Sequence, residues 1–253
     1  MTLPGRVVSL VPSLTETLFA IGAGDSLVGI TDYCIFPEGL DRPRVGGTKT
    51  PNIARIRELR PDLVYVNIEE NLKKHADQIA TFARVIATEP KTINDVVELI
   101  EMLGRTHGCE VKAAELTKQL TAGGKRLTPF TFAVPIWKNP WKWCGGDTYV
   151  SNLVESVGGR NVLRDRRRYP SIELAEVLAL KPDIVFLPDE PYAFTSGDAA
   201  EVGGAPRIIG PFPGHLFTWH GVRTIEGLQF LRSSLPPLPP TSGSSHRPRR
   251  AAS

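Results

Sequence analysis

Arg57-Glu58-Leu59-Arg60-Pro61-Asp62-Leu63-Val64-Tyr65-Val66 returns later in the chain as Val177-Leu178-Ala179-Leu180-Lys181-Pro182-Asp183-Ile184-Val185-Phe186-Leu187. Each copy reads as a helix end, a Leu-x-Pro-Asp turn and a buried strand, so two similar α/β lobes are expected. A second echo precedes each copy. Ser13-Leu14-Thr15-Glu16-Thr17-Leu18-Phe19-Ala20-Ile21-Gly22 and Ser151-Asn152-Leu153-Val154-Glu155-Ser156-Val157-Gly158-Gly159 each begin at a small polar residue and space their apolar residues helically. Both end on glycine, which supplies the left-handed conformation that closes a helix. Ser13 and Glu16 also have capping-box spacing. Two related lobes leave a cleft between them, where small ligands usually bind.

Outward from the repeat, residues 6–11 and 27–31 read as buried strands flanking the first helix, followed by residues 63–66 and 85–87. Strands alternating with helices imply mainly parallel sheets covered on both faces. The expected fold is therefore α/β: two similar lobes with mainly parallel sheets joined by one connecting helix. The N-terminal lobe takes residues 1–90 and the connecting helices residues 91–126. Residues 93–103 have helical periodicity that Gly104 and Gly108 should interrupt, since an interior glycine costs about 1 kcal/mol relative to alanine. The next helix, residues 110–121, is the expected connector. The C-terminal lobe, residues 127–235, opens with a strand at 130–134 and closes with a strand at 217–219 and a helix at 224–231. Residues 236–253, rich in proline, serine and arginine, read as a disordered tail.

At 253 residues and 41% hydrophobic content the chain can build a sizeable core. Thirty Lys and Arg against 27 Asp and Glu leave a net charge of +3. Arg247, Arg249 and Arg250 account for that excess, so the folded body is near neutral, which argues against nucleic acid as a partner. Cys34, Cys109 and Cys144 are scattered, with no C-x-x-C spacing, which argues against a disulfide framework or a zinc site. No run approaches the roughly 18 apolar residues of a membrane helix, and the start reads directly into a strand rather than a leader. These features set the expectation of a monomeric cytoplasmic protein without membrane insertion.

Function should sit where loops follow strands, the edge at which α/β sheets bind ligands. Trp137-Lys138-Asn139-Pro140-Trp141-Lys142-Trp143 holds three of the four tryptophans. A core plug is the structural reading. Three tryptophans on a polar loop also suit an aromatic wall for a flat ligand, which Trp137 and Trp141 are expected to form. Gly146-Asp147-Thr148-Tyr149 leads into a helix, where Asp147 or Thr148 is read either as its cap or, with Tyr149, as ligand-facing. Tyr33 follows the second strand, Glu190 follows the second repeat strand, and Trp219 and His220 follow the last expected strand. His215 and His220 have no cysteine or acid at a zinc spacing, so no metal site is read. No nucleophile elbow, metalloprotease, P-loop or dinucleotide motif is present, and no catalytic residue is assigned.

With these residues in hand, the chain resembles the helical-backbone substrate-binding proteins, the class III periplasmic receptors for cobalamin, haem and iron-siderophores. The resemblance rests on Val8-Ser9-Leu10-x-Pro12-Ser13-x-Thr15-Glu16, Gly22-Ala23-Gly24-Asp25-x-x-Val28-Gly29, Leu59-x-Pro61-Asp62-Leu63-Val64, Gly158-Gly159-x-Asn161-Val162 and Leu180-x-Pro182-Asp183-Ile184-Val185. It implies a small-molecule binding protein, not an enzyme, with a corrinoid, haem or metal chelate held noncovalently in the interlobe cleft. It also implies that Tyr33 contacts ligand, while Thr48 and Asn67 stand where the cobalamin receptors have tryptophans. Transport-coupled members carry a permease-docking glutamate on each lobe; here those positions are Ala54 and Ala175. That departure reinforces the cytoplasmic expectation. The alternatives are an exported ABC-transporter receptor for cobalamin or iron-siderophore, and a metal-cofactor enzyme of a nitrogenase-component-like fold.

Overall fold

The computed structural model describes residues 3–122, 127–203 and 206–235; the expected tail at 236–253 and the last residues of the connecting segment lie outside them. The first half contains β1 (Val7–Ser9), α1 (Pro12–Ala20), β2 (Leu27–Ile30), α2 (Ile53–Glu58), β3 (Leu63–Asn67), α3 (Lys73–Ala80) and β4 (Arg84–Thr88). Two helices follow, α4 (Ile93–His107) and α5 (Glu110–Thr121). The second half begins with β5 (Phe130–Ala133), β6 (Pro135–Trp137), β7 (Lys142–Trp143), α6 (Tyr149–Ser156) and β8 (Gly159–Asn161). It ends with α7 (Leu174–Ala179), β9 (Ile184–Pro188), α8 (Ser196–Val202), β10 (Arg207–Phe212), α9 (His215–Thr218) and α10 (Arg223–Ser234).

The strands form two four-stranded sheets, ordered β2-β1-β3-β4 and β10-β9-β5-β8. Every pairing within them is parallel. Taken from its other edge, the second order is β8-β5-β9-β10 and matches the first strand for strand. The antiparallel hairpin β6–β7 is the addition to the second lobe.

The repeated Pro-Asp turn does the same work twice. Asp62 Oδ2 accepts the backbone N–H groups of Gly5 and Arg6 at 3.0 and 2.9 Å, fixing the entry to β1. Asp183 Oδ2 accepts the backbone N–H and the hydroxyl of Thr131, both at 2.7 Å, fixing β5. Those bonds hold the Asp183 carboxyl below its ordinary pKa. The residue before each proline, Arg60 or Lys181, takes φ +45° or +54°, the left-handed turn that ends the preceding helix.

Strand alternation divides the apolar side chains between the two faces of each sheet. Val8, Val64 and Val66 pack under α2 and α3 with Ile56 and Ile79. Val7 and Tyr65 face the other way, into a core that also takes Leu14 and Leu18 of α1, Ile100 and Leu103 of α4, and Phe132, Leu153 and Phe186 of the second lobe. One apolar core therefore runs through both lobes, with α4 between them, and α4 and α5 pack on α6 and α10 respectively. The two sheets share no strand.

Three local expectations are corrected. The cap of α1 is Val11, without a side-chain hydrogen bond, so Ser13 and Glu16 make no capping box; both side chains contact the other lobe instead. Helix α4 runs through Gly104 to a left-handed end at Gly108. A Cβ on Gly104 would come 2.5 Å from Ala113 Cβ, so this glycine is where α5 packs against α4. Residues 217–219 are not a strand: α9 ends at Thr218, and the last strand is β10. Gly210-Pro211 disguises β10 as a turn, and a sheet edge tolerates proline there because no further strand needs its N–H.

Candidate ligand cleft at the strand ends

Among the described residues, five large apolar side chains are left in solvent in the segments that follow strands, while Leu3, Val111 and Leu180 are exposed elsewhere. Tyr33 and Ile35 follow β2, Ile68 and Leu72 follow β3, and Trp137 follows β5, each 39–61% exposed. The polar groups among them are organised by buried hydrogen bonds. Asn67, at 4% exposure, accepts the N–H groups of Glu69 and Glu70 on Oδ1 at 2.9 and 3.3 Å. Asn71 donates to the carbonyls of Leu10 and Thr48 at 3.1 and 2.9 Å. Position 67 thus shapes the turn after β3 and offers no stacking surface.

Two seams join the lobes at this edge. In one, Tyr169 donates to Glu69 Oε2 at 2.8 Å, and Arg168 pairs with Glu69 at 2.9 Å and with Glu89 at 3.4 Å. In the other, Ser13 Oγ lies 3.3 Å from His220 Nε2, the Val222 N–H donates to Thr17 Oγ1 at 3.1 Å, and Arg223 donates to Glu16 Oε2 at 3.1 Å. Burial holds the His220 imidazole down at about 4, so it is neutral at physiological pH. Loss of solvation pushes Glu70 up to about 7; Lys49 opposes the shift, and Glu190 of the other lobe and Glu69 add to it.

The residues singled out in the sequence fall into two groups. Tyr33 is exposed beside Gly47, and Trp137 is exposed with its ring edge-on to Tyr192 at 5.6 Å. Glu190, half-buried, accepts the Thr218 hydroxyl at 2.7 Å. Trp219, 9% exposed, packs edge-on against Phe36 and His215. The others are engaged by the protein. Trp141 is buried and stacks on Trp143 and Phe194 at 5.5 and 5.8 Å, so its rings belong to the core of the second lobe. Asp147 accepts the Arg168 N–H at 2.5 Å, whereas Thr148 is the cap of α6. Tyr149 is buried, with its hydroxyl 2.7 Å from Thr224 Oγ1, and His220 is buried against Ser13.

Sequence reasoning passed over Phe36, Ile68, Glu69, Glu70, Arg168 and Tyr169. The internal repeat carried a usable signal for one of them: Glu69 stands two residues past the end of β3 as Glu190 stands two residues past the end of β9. A shallow depression of about 540 Å³, lined by Pro43, Asn52, Ala54, Arg55, Glu58 and Leu59, lies over α2 and does not coincide with the apolar loops. Among the described residues, no group of three or more His, Cys, Asp or Glu side chains could hold a metal ion, and no helix is long and apolar enough to cross a membrane.

Comparison with known proteins places the chain in one class. Residues 7–202 match the family model described as periplasmic binding protein, and the chain belongs to that family. Among its relatives, an uncharacterized ABC transporter substrate-binding lipoprotein of Bacillus subtilis, YvrC, is 26% identical over 92% of this chain and 81% of its own length. A vitamin B12-binding protein of Yersinia pestis is 27% identical over 73% of this chain and 71% of its own length. The fold matches the periplasmic vitamin B12 binding protein BtuF of Vibrio cholerae with a TM-score of 0.75 at 20% identity, over 91% of this chain and 96% of the other. It matches the haem-binding protein HutB of the same organism with a TM-score of 0.77 at 17% identity, over 91% and 99%.

These matches overturn the cytoplasmic expectation, because the family is one of periplasmic binding proteins and the Bacillus relative is a lipoprotein. Neither ground for that expectation bears on compartment. Where a sequence begins is silent about what precedes it, and alanines at positions 54 and 175 concern a permease contact, not export.

Proposed function

We propose that this protein is an exported ABC-transporter substrate-binding receptor that holds a corrinoid, haem or iron chelate between its lobes. The observation that carries the reading is the set of exposed apolar side chains in the segments that follow strands, Tyr33, Ile35, Ile68, Leu72 and Trp137. Apolar surface left in water at a sheet's ligand-binding edge is surface awaiting a partner. The relatives' names, vitamin B12-binding protein and haem-binding protein, fit a large flat ligand with an apolar face. In this reading Tyr33, Trp137, Glu190 and Trp219 line the cleft, and Trp141, Asp147, Tyr149 and His220 hold the lining from behind. Residues 1–90 and 127–235 act as the two lobes, and the protein performs no chemistry on its cargo.

A permease is the implied partner, and with alanines at 54 and 175 its contacts on this chain must differ from paired glutamates. The test is an absorption spectrum of the protein purified from its native host, followed by titration with cyanocobalamin, haemin and a ferric siderophore, alongside cell fractionation. Micromolar or tighter binding of one of these and recovery from the envelope fraction are expected. Binding of none, or recovery in the cytosol, would reject the reading.

A further inference from the structure

Arg223 opens α10 with its side chain 7% exposed, and three carboxylate oxygens hold its guanidinium. Nε donates to Glu16 Oε2 at 3.1 Å and Nη2 donates to Glu16 Oε1, a bidentate pair across the lobes. Nη1 donates to Glu226 Oε2 at 2.6 Å. The guanidinium carbon Cζ lies over the Phe36 ring, from the loop after β2, 4.0 Å from its centroid. Phe36 in turn meets Trp219 at 5.8 Å and His215 at 5.3 Å, and His215 meets Trp219 at 5.9 Å. Phe36 of one lobe therefore sits on the guanidinium, and Trp219 and His215 of the other lobe pack on Phe36.

We infer that Arg223 is the positioning residue of the cleft, the plate on which the Phe36, Trp219 and His215 cluster is set. The inference rests on the ligand-cleft reading for its functional consequence, but the geometry of the cluster is independent of it. A guanidinium is planar and forks its donors, so it can pair with Glu16 and Glu226 and still present a face to Phe36. A lysine ammonium can satisfy Glu16 as a point charge but has no face on which a ring can lie. Charge alone fixes the seam; planarity fixes the rings.

The experiment labels the full chain with 5-fluorotryptophan and follows its four tryptophan signals by fluorine NMR, with Trp219→Phe providing the assignment. In Arg223→Lys the Trp219 signal should move or broaden while those of Trp137, Trp141 and Trp143 stay in place. A Trp219 signal unchanged in Arg223→Lys overturns the inference. Glu226→Ala touches none of the three rings, keeps the Glu16 pair across the lobes and frees one fork of the guanidinium, so it asks the same question should the lysine variant fail to fold. It should move the same signal, and a signal left in place overturns the inference. Titration with cyanocobalamin and with haemin then reads the consequence. Whichever binds the wild type should bind Arg223→Lys about tenfold more weakly or worse, because Phe36 and the Trp219 packed on it lose the flat guanidinium that orients them; equal affinity overturns the positioning role. If neither binds the wild type, the ligand reading fails, and the fluorine signal still decides what Arg223 does.

Discussion

Tyr169 donates its hydroxyl to Glu69 Oε2 at 2.8 Å, joining the loop after β8 in one lobe to the loop after β3 in the other. Glu69 is partly buried and also takes Arg168 at 2.9 Å and, on its carbonyl, Lys49 at 2.5 Å. This bond lies at the opposite seam from Arg223. Together the two seams and the continuous core join the lobes through polar and apolar contacts alike.

Removing the Tyr169 hydroxyl tests that seam directly. Tyr169→Phe keeps the ring and deletes one bond to a charged acceptor, a change worth about 1.5–3 kcal/mol. The urea midpoint should fall accordingly, with amide exchange rising in residues 68–71 and 164–170. A midpoint equal to wild type would show that the seam contributes nothing.

The fold was legible because its repeat is chemical as well as statistical. Pro61-Asp62 and Pro182-Asp183 each pin a central strand by the same hydrogen bonds, and such short-range logic is written in consecutive residues. Strand β10 was not legible, since its Gly210-Pro211 matters only if one knows that it forms a sheet edge. Of the candidate site, the sequence made legible which residues lie on exposed loops. Tyr33 and Trp137 could be placed from the loops that carry them, whereas Trp141 reads alike as wall or core until its partners Trp143 and Phe194 are known. Glu16 and Arg223 lie at opposite ends of the chain, and nothing local announces such a pair.

The two tryptophans should separate cleanly in mutation. Trp137, 43% exposed, should cost about 2 kcal/mol in ligand affinity when replaced by alanine and little in stability. Trp141, 6% exposed and stacked on two rings, should cost about 3–5 kcal/mol in stability. Thermal denaturation and ligand titration of both variants measure the two effects. Equal losses of stability would mean that Trp137 is also a core residue.

Glu70 and His220 should give the protein opposing pH dependences. His220, about 4 in the fold against an ordinary 6.5, is protonated first in the unfolded chain, so its contribution is lost as pH falls from about 6.5 toward 4. Glu70, about 7 in the fold against 4.5, keeps its proton longer when folded, so its contribution is lost as pH rises from about 4.5 toward 7. Glu70→Gln should therefore gain stability relative to wild type as pH rises through that window, by at most about 1.4 kcal/mol per unit. His220→Gln should gain relative to wild type as pH falls through its own window. Urea midpoints taken from pH 4.5 to 7.5 provide the slopes, and curves parallel to wild type would contradict both assignments.

Gly221 offers the sharpest test of the seam that contains Arg223. Its φ is +93°, and a Cβ there would come 2.2 Å from Thr17 Oγ1 of the other lobe. Thr17 cannot turn aside cheaply, because that oxygen donates to the Ser13 carbonyl at 2.7 Å and accepts the Val222 N–H at 3.1 Å. An alanine must therefore adopt an unfavourable backbone conformation, break both hydrogen bonds, or push α1 away from residues 219–223. Left-handed strain alone costs about 1–2 kcal/mol for a residue with a Cβ, and the lost bonds add to it. Gly221→Ala should lower stability by about 2 kcal/mol or more, expose Trp219 to quenching by iodide, and weaken any ligand that rests on Trp219. Thr17→Ala removes the clash along with the bonds. Combined with Gly221→Ala, it should be less destabilising than the sum of the two single changes, because the pair shares one contact. Full additivity in that cycle would show that the two residues do not meet across the lobes.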